Sequence, residues 1–479
     1  MPYSNLLLHS QHHPGLSGVC PITSALEAFA VRAQMCAVAQ STIDLQYYVW
    51  RPDLTGTYLL YCVLNAARRG VRLRLLLDDF GCGGIDGTLA VLADHPNIEI
   101  RLINPFRWRR FRYLNFLHDF ARLNRRMHNK SFTIDNKITI VGGRNIADEY
   151  FGAKDGDLFS DLDVVAVGPV VNAVGHDFNR FWNSPVAVDV GHLLGKPSTR
   201  QRRRFEHRIA RLLRDSRIKP YEEAANDAAL RSAWLEDVEH YEWARTTMLS
   251  DNPEKLRGKI EPDDLVMTGL RRIFGQPQRH LELVTAYFVP SADGLTLLAE
   301  MAQRGVHVQV LTNSLEATDV AAVHAGYSRY RKALIAAGVS LFEMKRIQKI
   351  PRVRSYGRRG QRRRLLSSAG TSLHSKTLAI DGQTLFVGSF NFDPRSNLLN
   401  TEMGFVIESP VLAGELHQGF SLRVPQMAYQ AQLDSKGRLY WTQESEAQGR
   451  QVFYREPRAP LWRRFLVRVL AYLPIERLL

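Results

Sequence analysis

Two stretches of the chain carry one pattern. MHNKSFTIDNKITIVGGRN spans 127–145 and LHSKTLAIDGQTLFVGSFN spans 373–391. Each places His, one residue, Lys, four residues, Asp, six residues, two small residues, one more and then Asn. The first copy supplies His128, Lys130, Asp135, Gly142, Gly143 and Asn145; the second supplies His374, Lys376, Asp381, Gly388, Ser389 and Asn391. Five specified positions match by chance roughly once per million starts at ordinary residue usage. Two matches in one chain therefore indicate an internal repeat, and a fold that must place both copies.

The surroundings repeat too. TIDLQYYVWRPDLTGTYLLYCVLNAARRGVRLRLLLDD in the first half corresponds to HLELVTAYFVPSADGLTLLAEMAQRGVHVQVLTNS in the second. Both read as strand, amphipathic helix, Gly turn and strand, with an aromatic pair at the first strand's end (Tyr47-Tyr48, Tyr287-Phe288). Such alternation predicts parallel βαβ units, and Gly70 and Gly305 suit left-handed helix caps. At 479 residues the chain exceeds one typical core. We expect an α/β protein of two homologous lobes, 1–190 and 262–430, each a mixed sheet flanked by helices. A charged helical linker is expected over 191–261 and a C-terminal extension over 431–479.

In each hairpin, Asp381-Gly382 or Asp135-Asn136 would form a two-residue type I′ turn. That register sets His374 opposite Ser389 and His128 opposite Gly143. Side chains alternate along a strand, so imidazole, ammonium and carboxamide should converge at the open end. There the small residues would let an oxyanion reach backbone N–H groups. Asp135 and Asp381 lie about 23 Å from their own histidines at ~3.3 Å per residue; their expected part is to hold the turn or the lobe packing.

Phosphodiester transfer needs two proton-handling groups in opposite states. A neutral His attacks phosphorus and a protonated His donates to the leaving alkoxide. Two Lys and two Asn would stabilise the non-bridging oxygens. Two hairpins facing across a pseudo-twofold axis supply this set, with no metal or cofactor required. Each His also needs an orienting carboxylate. Glu402, eight residues before Pro410, is expected to serve His374. Asp161, eight before Pro169, is expected to serve His128, with Asp163 as its competitor.

The twin motif resembles the phospholipase D superfamily. NRRMHNKSFTIDNKITIVGGRNIADEYFG and GSFNFDPRSNLLNTEMGFVIES are similar to bacterial cardiolipin synthases, most of all the C-type, and the likeness runs over nearly the whole chain. It implies one active site between the lobes, with His128, Lys130, Asp135, His374, Lys376 and Asp381 as the catalytic set. Asn145, Asn391, Gly143, Ser389, Asp161 and Glu402 would bind or support phosphate. The implied reaction passes a phosphatidyl group through a phosphohistidine to phosphatidylglycerol; the resemblance favours His128 as nucleophile. The donor would be phosphatidylglycerol or phosphatidylethanolamine, with an accessory protein a further possibility.

A formal net charge of +15 favours an anionic partner. Given the fused lobes and the tail, an anionic membrane surface is preferred to nucleic acid. PRAPLWRRFLVRVLAYLPIERLL aligns Trp462, Phe465, Leu466, Val469 and Leu473 on one face, with Arg464 and Arg468 opposite. Over 460–479 this reads as a basic amphipathic interfacial helix, or alternatively as a helix packed on the protein. FRWRRFRY (106–113) and the stretch 344–368, with ten Lys or Arg and no acid, could bind lipid phosphates. No signal peptide or membrane-spanning run is read, so the expected location is the cytoplasmic face of the bacterial inner membrane. Cys20, Cys36, Cys62 and Cys82 form no CxxC pair.

Weaker features read as structural. GCGGIDG (81–87) lacks a P-loop Lys, Asp78-Asp79 has no counterpart in the second half, and His9, His12 and His13 read as a disordered tail. His324 and Tyr327 suit either a lipid groove or packing. The competing functions are a phospholipase D or nuclease that passes the intermediate to water, and an idle scaffold on anionic lipid.

Overall fold

The computed structural model describes residues 3–154, 158–275, 277–346, 372–445, 449–473 and 476. Most of the basic stretch 344–368 lies outside the described residues.

The first half contributes strands β1 (Ser17–Ile22), β2 (Thr42–Val49), β3 (Arg72–Gly81), β4 (Ile98–Ile103), β5 (Ser131–Ile134), β6 (Ile138–Gly142), β7 (Phe159–Ser160), β8 (Asp163–Val167) and β9 (Ala187–Asp189). Apart from the short β7 they form one mixed sheet in the order β9-β4-β3-β2-β5-β6-β8-β1, parallel across β2, β3 and β4. The second half contributes β10 (Glu242–Ser250), β11 (His280–Thr285), β12 (His307–Asn313), β13 (Ser340–Met344), β14 (Ser372–Leu373), β15 (Lys376–Ile380), β16 (Thr384–Gly388), β17 (Met403–Glu408), β18 (Ala428–Leu433), β19 (Leu439–Ser445) and β20 (Gly449–Phe453). Their order, leaving out β14, is β10-β17-β16-β15-β11-β12-β13-β18-β19-β20.

Read outward from β1 and from β10, the two orders run in parallel: β8 answers to β17, β6 to β16, β5 to β15, β2 to β11. The repeat in the sequence is thus a repeat in topology. The helices Leu54–Arg68 and Ser291–Gln303 cross over as expected, each followed by a left-handed Gly, Gly70 at φ 97° and Gly305 at φ 90°.

The lobes meet where β1 pairs antiparallel with β10, Gly18 opposite Trp243. The expected all-helical linker is corrected here. It is helical over Thr199–Leu212, Lys219–Asn226 and Ala228–Leu235, but β10 then belongs to the second sheet as the counterpart of β1. The mixed polar run Glu242–Ser250 hides a strand whose side chains are mostly half-buried. Nor does the second sheet end at 430, since β18, β19 and β20 widen it. The N-terminal histidines are not a loose tail. They sit on a helix, Ser4–Gln11, and just beyond it; Tyr3 and Leu6 are buried, and the His13 ring stacks on Trp243 at 4.7 Å.

Each hairpin differs from expectation by one residue. Asp381 and Gly382, like Asp135 and Asn136, have the positive φ of a type I′ turn. Gln383 and Lys137 then add one residue, so the ladder pairs Ile380 with Thr384 and Ile134 with Ile138. His374 therefore does not face Ser389, nor His128 Gly143. A bulge beside a tight turn is a common way to add twist.

The motif aspartates tie each tip to a central strand. Asp135 accepts the N–H groups of Gln40 (2.9 Å), Ser41 (2.7 Å) and Thr42 (2.9 Å), and the Tyr3 hydroxyl. Asp381 accepts those of Gln278 (3.0 Å), Arg279 (2.7 Å) and His280 (2.9 Å). Burial pushes both carboxyls up, but these hydrogen bonds outweigh it and hold them below their usual range. Replacing Asp135 or Asp381 by Ala should cost about 1–2 kcal/mol of stability, a modest figure because both sites are part-exposed. A group depressed in the folded state stabilises above its unfolded pKa, near ~4, and that stability fades as pH falls through the folded value. Urea unfolding should show wild type and variant converging in acid; a gap unchanged at pH 2.5 would contradict the assignment.

Candidate active site

The segment ahead of each histidine pairs with the other lobe. Met127 bridges Thr401 in parallel, and the His128 N–H donates to the Thr401 carbonyl at 2.9 Å. β14 pairs in parallel with β7, and the His374 N–H donates to the Ser160 carbonyl at 2.8 Å. Thr401 directly precedes Glu402 and Ser160 directly precedes Asp161. Each histidine is thereby laid beside the other lobe's carboxylate.

This reverses the expected assignment. His128 Nδ1 lies 2.8 Å from Glu402 Oε2, and His374 Nδ1 lies 2.6 Å from Asp161 Oδ2. Equal offsets from Pro169 and Pro410 located the right carboxylates but could not say that the pairs cross. Asp163, the proposed competitor, is held instead by Arg32 (2.8 Å) and Arg144 (3.3 Å). With Nδ1 engaged, Nε2 is the ring nitrogen that each carboxylate leaves unclaimed.

The small residues serve these carboxylates. A Cβ at Gly143 would lie 2.2 Å from Asp161 Oδ1, so only glycine fits there. At the equivalent position Ser389 donates its hydroxyl to Glu402 Oε2 at 2.5 Å and accepts the Met403 N–H. Their own N–H groups are already bonded, Gly143 to the Leu162 carbonyl and Ser389 to the Met403 carbonyl. The expected approach of an oxyanion to these N–H groups is accordingly withdrawn.

Lys130 Nζ donates to the His128 carbonyl at 2.6 Å, and Lys376 Nζ to the His374 carbonyl. Each ammonium also lies near an aromatic ring, Tyr48 at 5.8 Å and Tyr287 at 5.9 Å, from the aromatic pairs seen in the repeat. Asn145 bonds within its lobe at both ends of its amide. It accepts the Val49 N–H at 3.1 Å and donates to the Tyr150 hydroxyl at 2.8 Å, and that hydroxyl lies 3.5 Å from His374 Nε2. Asn391 differs: its buried Oδ1 has no hydrogen-bond partner among the described residues.

Two participants escaped the sequence. Tyr150 follows the first motif in IADEYFG, but nothing in its spacing marks it. Asp251 comes from the supposed linker; it accepts the Glu402 N–H at 2.9 Å and pairs with Lys255 at 2.8 Å. A charged stretch with no repeat partner gives no signal for either role. Asp78 and Asp79 are held by arginine, Asp78 by Arg126 at 3.0 Å and Asp79 by Arg109 at 2.8 Å. His324 is buried near Glu456, and the Tyr327 hydroxyl donates to Glu343, so both are packing residues.

Burial dominates the electrostatics. His128 and His374 are only 7% and 5% exposed. Burial, then Lys130 and Lys376, drives His128 well below its usual value. Burial and Lys376 bring His374 down to about 4 against the pull of Asp161. Burial pushes Asp161 up, yet His374 and Lys376 outweigh it and hold the carboxyl at about 2. Glu402 is raised to about 7 by burial, and Lys130 is lowered to about 7 by the same cause. One imidazole thus faces a firmly ionised carboxylate, the other a carboxyl poised near neutrality.

Comparison with known proteins places the chain in a family. The family model described as cardiolipin synthase, PLD-like domain, matches residues 33–182 and 270–423, one hairpin in each segment. The chain belongs to this family. Cardiolipin synthase C of Escherichia coli (strain K12) is 44% identical over 475 residues, 98% of this chain and 97% of that protein. Cardiolipin synthase A of Citrobacter koseri is 25% identical over 383 residues, 79% of this chain and 63% of that protein. Among solved structures, phosphatidylserine synthase of Haemophilus influenzae Rd KW20 aligns with a TM-score of 0.60 at 14% identity, over 98% of this chain and 99% of that one. That likeness supports the two-lobed α/β fold expected of a PLD-like cardiolipin synthase family member.

The crossed pairs have a direct test. Asp161→Asn removes the charge that favours imidazolium at His374, so His374 should titrate lower still while His128, in the same lobe as Asp161, holds its value. Ring-nitrogen NMR of wild type and variant follows both; a shift confined to His128 would sink the crossed assignment.

Proposed function

We propose that the protein is a cardiolipin synthase, a phosphatidyltransferase that uses the two crossed histidines in turn. The observation that carries this reading is that each buried imidazole is oriented by a carboxylate of the other lobe, so one site holds two differently poised proton carriers. Nearly full-length similarity to cardiolipin synthase C supports the substrate class.

His128 is the attacking group. Burial, with Lys130 and Lys376, holds its ring neutral, and its Nε2 lone pair would displace the leaving alkoxide at phosphorus. His374, whose imidazolium is stabilised by the ionised Asp161, would give its Nε2 proton to that alkoxide. The same nitrogen then takes the proton of an acceptor hydroxyl on phosphatidylglycerol. The acceptor oxygen attacks phosphorus, the P–N bond breaks and His128 is restored. Lys130 and Lys376 stabilise charge on the non-bridging oxygens, and burial of both rings disfavours water as acceptor. Donation by phosphatidylglycerol or phosphatidylethanolamine fits this scheme equally.

Two exposed apolar patches support a peripheral membrane position. On the helix Leu461–Ala471, Val467 packs against Leu315 and Ala325, while Trp462 and Phe465 remain 66% and 70% exposed. Near the first hairpin, Arg109 and Arg112 are ion-paired to Asp79 and Asp86. That segment therefore presents Trp108, Phe111, Tyr113 and Leu117 rather than a purely cationic face. No helix among the described residues is long and apolar enough to cross a membrane. Trp462→Ser with Phe465→Ser should loosen binding to phosphatidylglycerol vesicles at least tenfold, since each aromatic contributes on the order of 2 kcal/mol when buried. Vesicle sedimentation measures it, and unchanged partition would remove the tail from the membrane contact.

The activity test uses labelled phosphatidylglycerol, with and without phosphatidylethanolamine, and wild type beside His128→Ala and His374→Ala. Cardiolipin from wild type alone is expected, with losses of at least 10³-fold in each variant. Phosphatidic acid would make it a phospholipase; no lipid product from folded protein would end the lipid reading. The rate should be bell-shaped in pH, because the nucleophile fails when protonated and the acid fails when deprotonated. The acid limb should lie below pH 6.5, since burial pushes His128 down. The alkaline limb should also begin in acid, since burial and Lys376 bring His374 to about 4; a rate that does not fall between pH 4 and 9 would contradict paired histidine chemistry.

A further inference from the structure

A second cluster of ligating side chains lies away from the catalytic centre. His280 and Glu282 occupy alternate positions of β11 and so share one face of the strand. The helix Pro410–Leu422, which follows β17, lays His417 over them. Ligand atoms of these three residues all lie within 4.8 Å of one another. His417 Nδ1 is 2.6 Å from Glu282 Oε1. The His280 and His417 ring centroids are 4.6 Å apart, and His307, opposite His280 on β12, stacks on the His280 ring at 5.3 Å.

The buried carboxylate is the informative member. The Glu282 side chain is 0% exposed, yet its Oε2 has no hydrogen-bond partner among the described residues. A buried carboxylate oxygen is ordinarily paired, because leaving it bare forfeits its hydration without replacement. The same carboxylate meets His417 through Oε1 and lies with two imidazoles in one cluster, a set of donors that needs one more positive centre.

We propose that His280, Glu282 and His417 bind a divalent transition ion of the zinc type. Two imidazole nitrogens and one carboxylate form a ligand set suited to zinc, leaving a fourth position for water. The His417 side chain is 37% exposed, which gives the ion a way in. The ion takes the place of the proton shared by His417 Nδ1 and Glu282 Oε1, releasing it, as zinc binding to protonated ligands does. The stacked His307 limits how far the His280 ring can turn. The role is structural: Asp381 accepts the His280 N–H, so the cluster sits at the turn end of β15, and Lys376 at the other end. Bound metal would clamp the helix Pro410–Leu422 onto the central strand of the second lobe.

Zinc chloride alone is the probe, added to untagged full-length protein that has been dialysed against chelator. Bound metal is counted by mass spectrometry and the thermal midpoint is followed with and without zinc. Wild type should hold one equivalent more than His417→Ala, His280→Ala or Glu282→Gln, and its midpoint should rise in zinc while theirs stay put. Cobalt(II) should give a visible absorption band in wild type that His417→Ala lacks. The N-terminal pair His9 and His13, whose Nε2 atoms are 3.1 Å apart, is the competing zinc site, so His9→Ala with His13→Ala should behave as wild type. Equal zinc content and equal midpoint shift in wild type and His417→Ala would overturn the site. A loss of the extra equivalent in the His9/His13 variant instead would place the metal at the N-terminus and equally overturn it. The part-exposed His417 carries the test even if the buried Glu282→Gln fails to fold.

Discussion

A buried imidazole beside a buried carboxylate is stable only if geometry and charge are both satisfied, and this chain makes that demand twice across one interface. Glu402 and Asp161 are each fully enclosed, and each reaches a histidine of the opposite half. Removing the partner from either would leave an uncompensated group in a dry site. The two lobes are consequently held in one mutual orientation by the paired groups of the site, and the β1–β10 pairing and the bridges at Met127–Thr401 and Leu373–Ser160 set that orientation.

Positions outside the site follow from the same constraint. Asp251 and Lys255 fix the backbone beneath Glu402, and Ser389 fixes its side chain. At the far end of each hairpin, Asp135 and Asp381 grip the start of β2 and β11, so the strand carrying each Lys cannot slide. Orientation at one end and anchorage at the other leave the imidazoles little freedom.

Much of this could be read in the amino acids because it is local or periodic. His128 and Lys130, with their repeat His374 and Lys376, follow from spacing, and the βαβ units follow from apolar period and the glycines at 70 and 305. What escaped was non-local. Which carboxylate meets which histidine depends on how the lobes face each other, and equal offsets from two prolines are blind to that. β10 escaped because polar residues dominate a strand lying between two sheets. The hairpin register escaped because Lys137 and Gln383 look like ordinary first residues of a returning strand, whereas they are bulged. The N-terminal helix escaped because its anchor, Tyr3 on Asp135, joins residues far apart in the chain.

The joint between Gly18 and Trp243 has a consequence for the history of the molecule. Two identical subunits meeting at such an antiparallel edge would be obliged to change together, since one gene would write both halves. Covalent fusion lifts that obligation. Gly143 with Asp161 on one side and Ser389 with Glu402 on the other are what drift apart under it: a short carboxylate against bare backbone, and a longer one held by a hydroxyl. Two identical subunits could hold only two identical pairs, whereas one fused chain writes two different pairs into its primary structure.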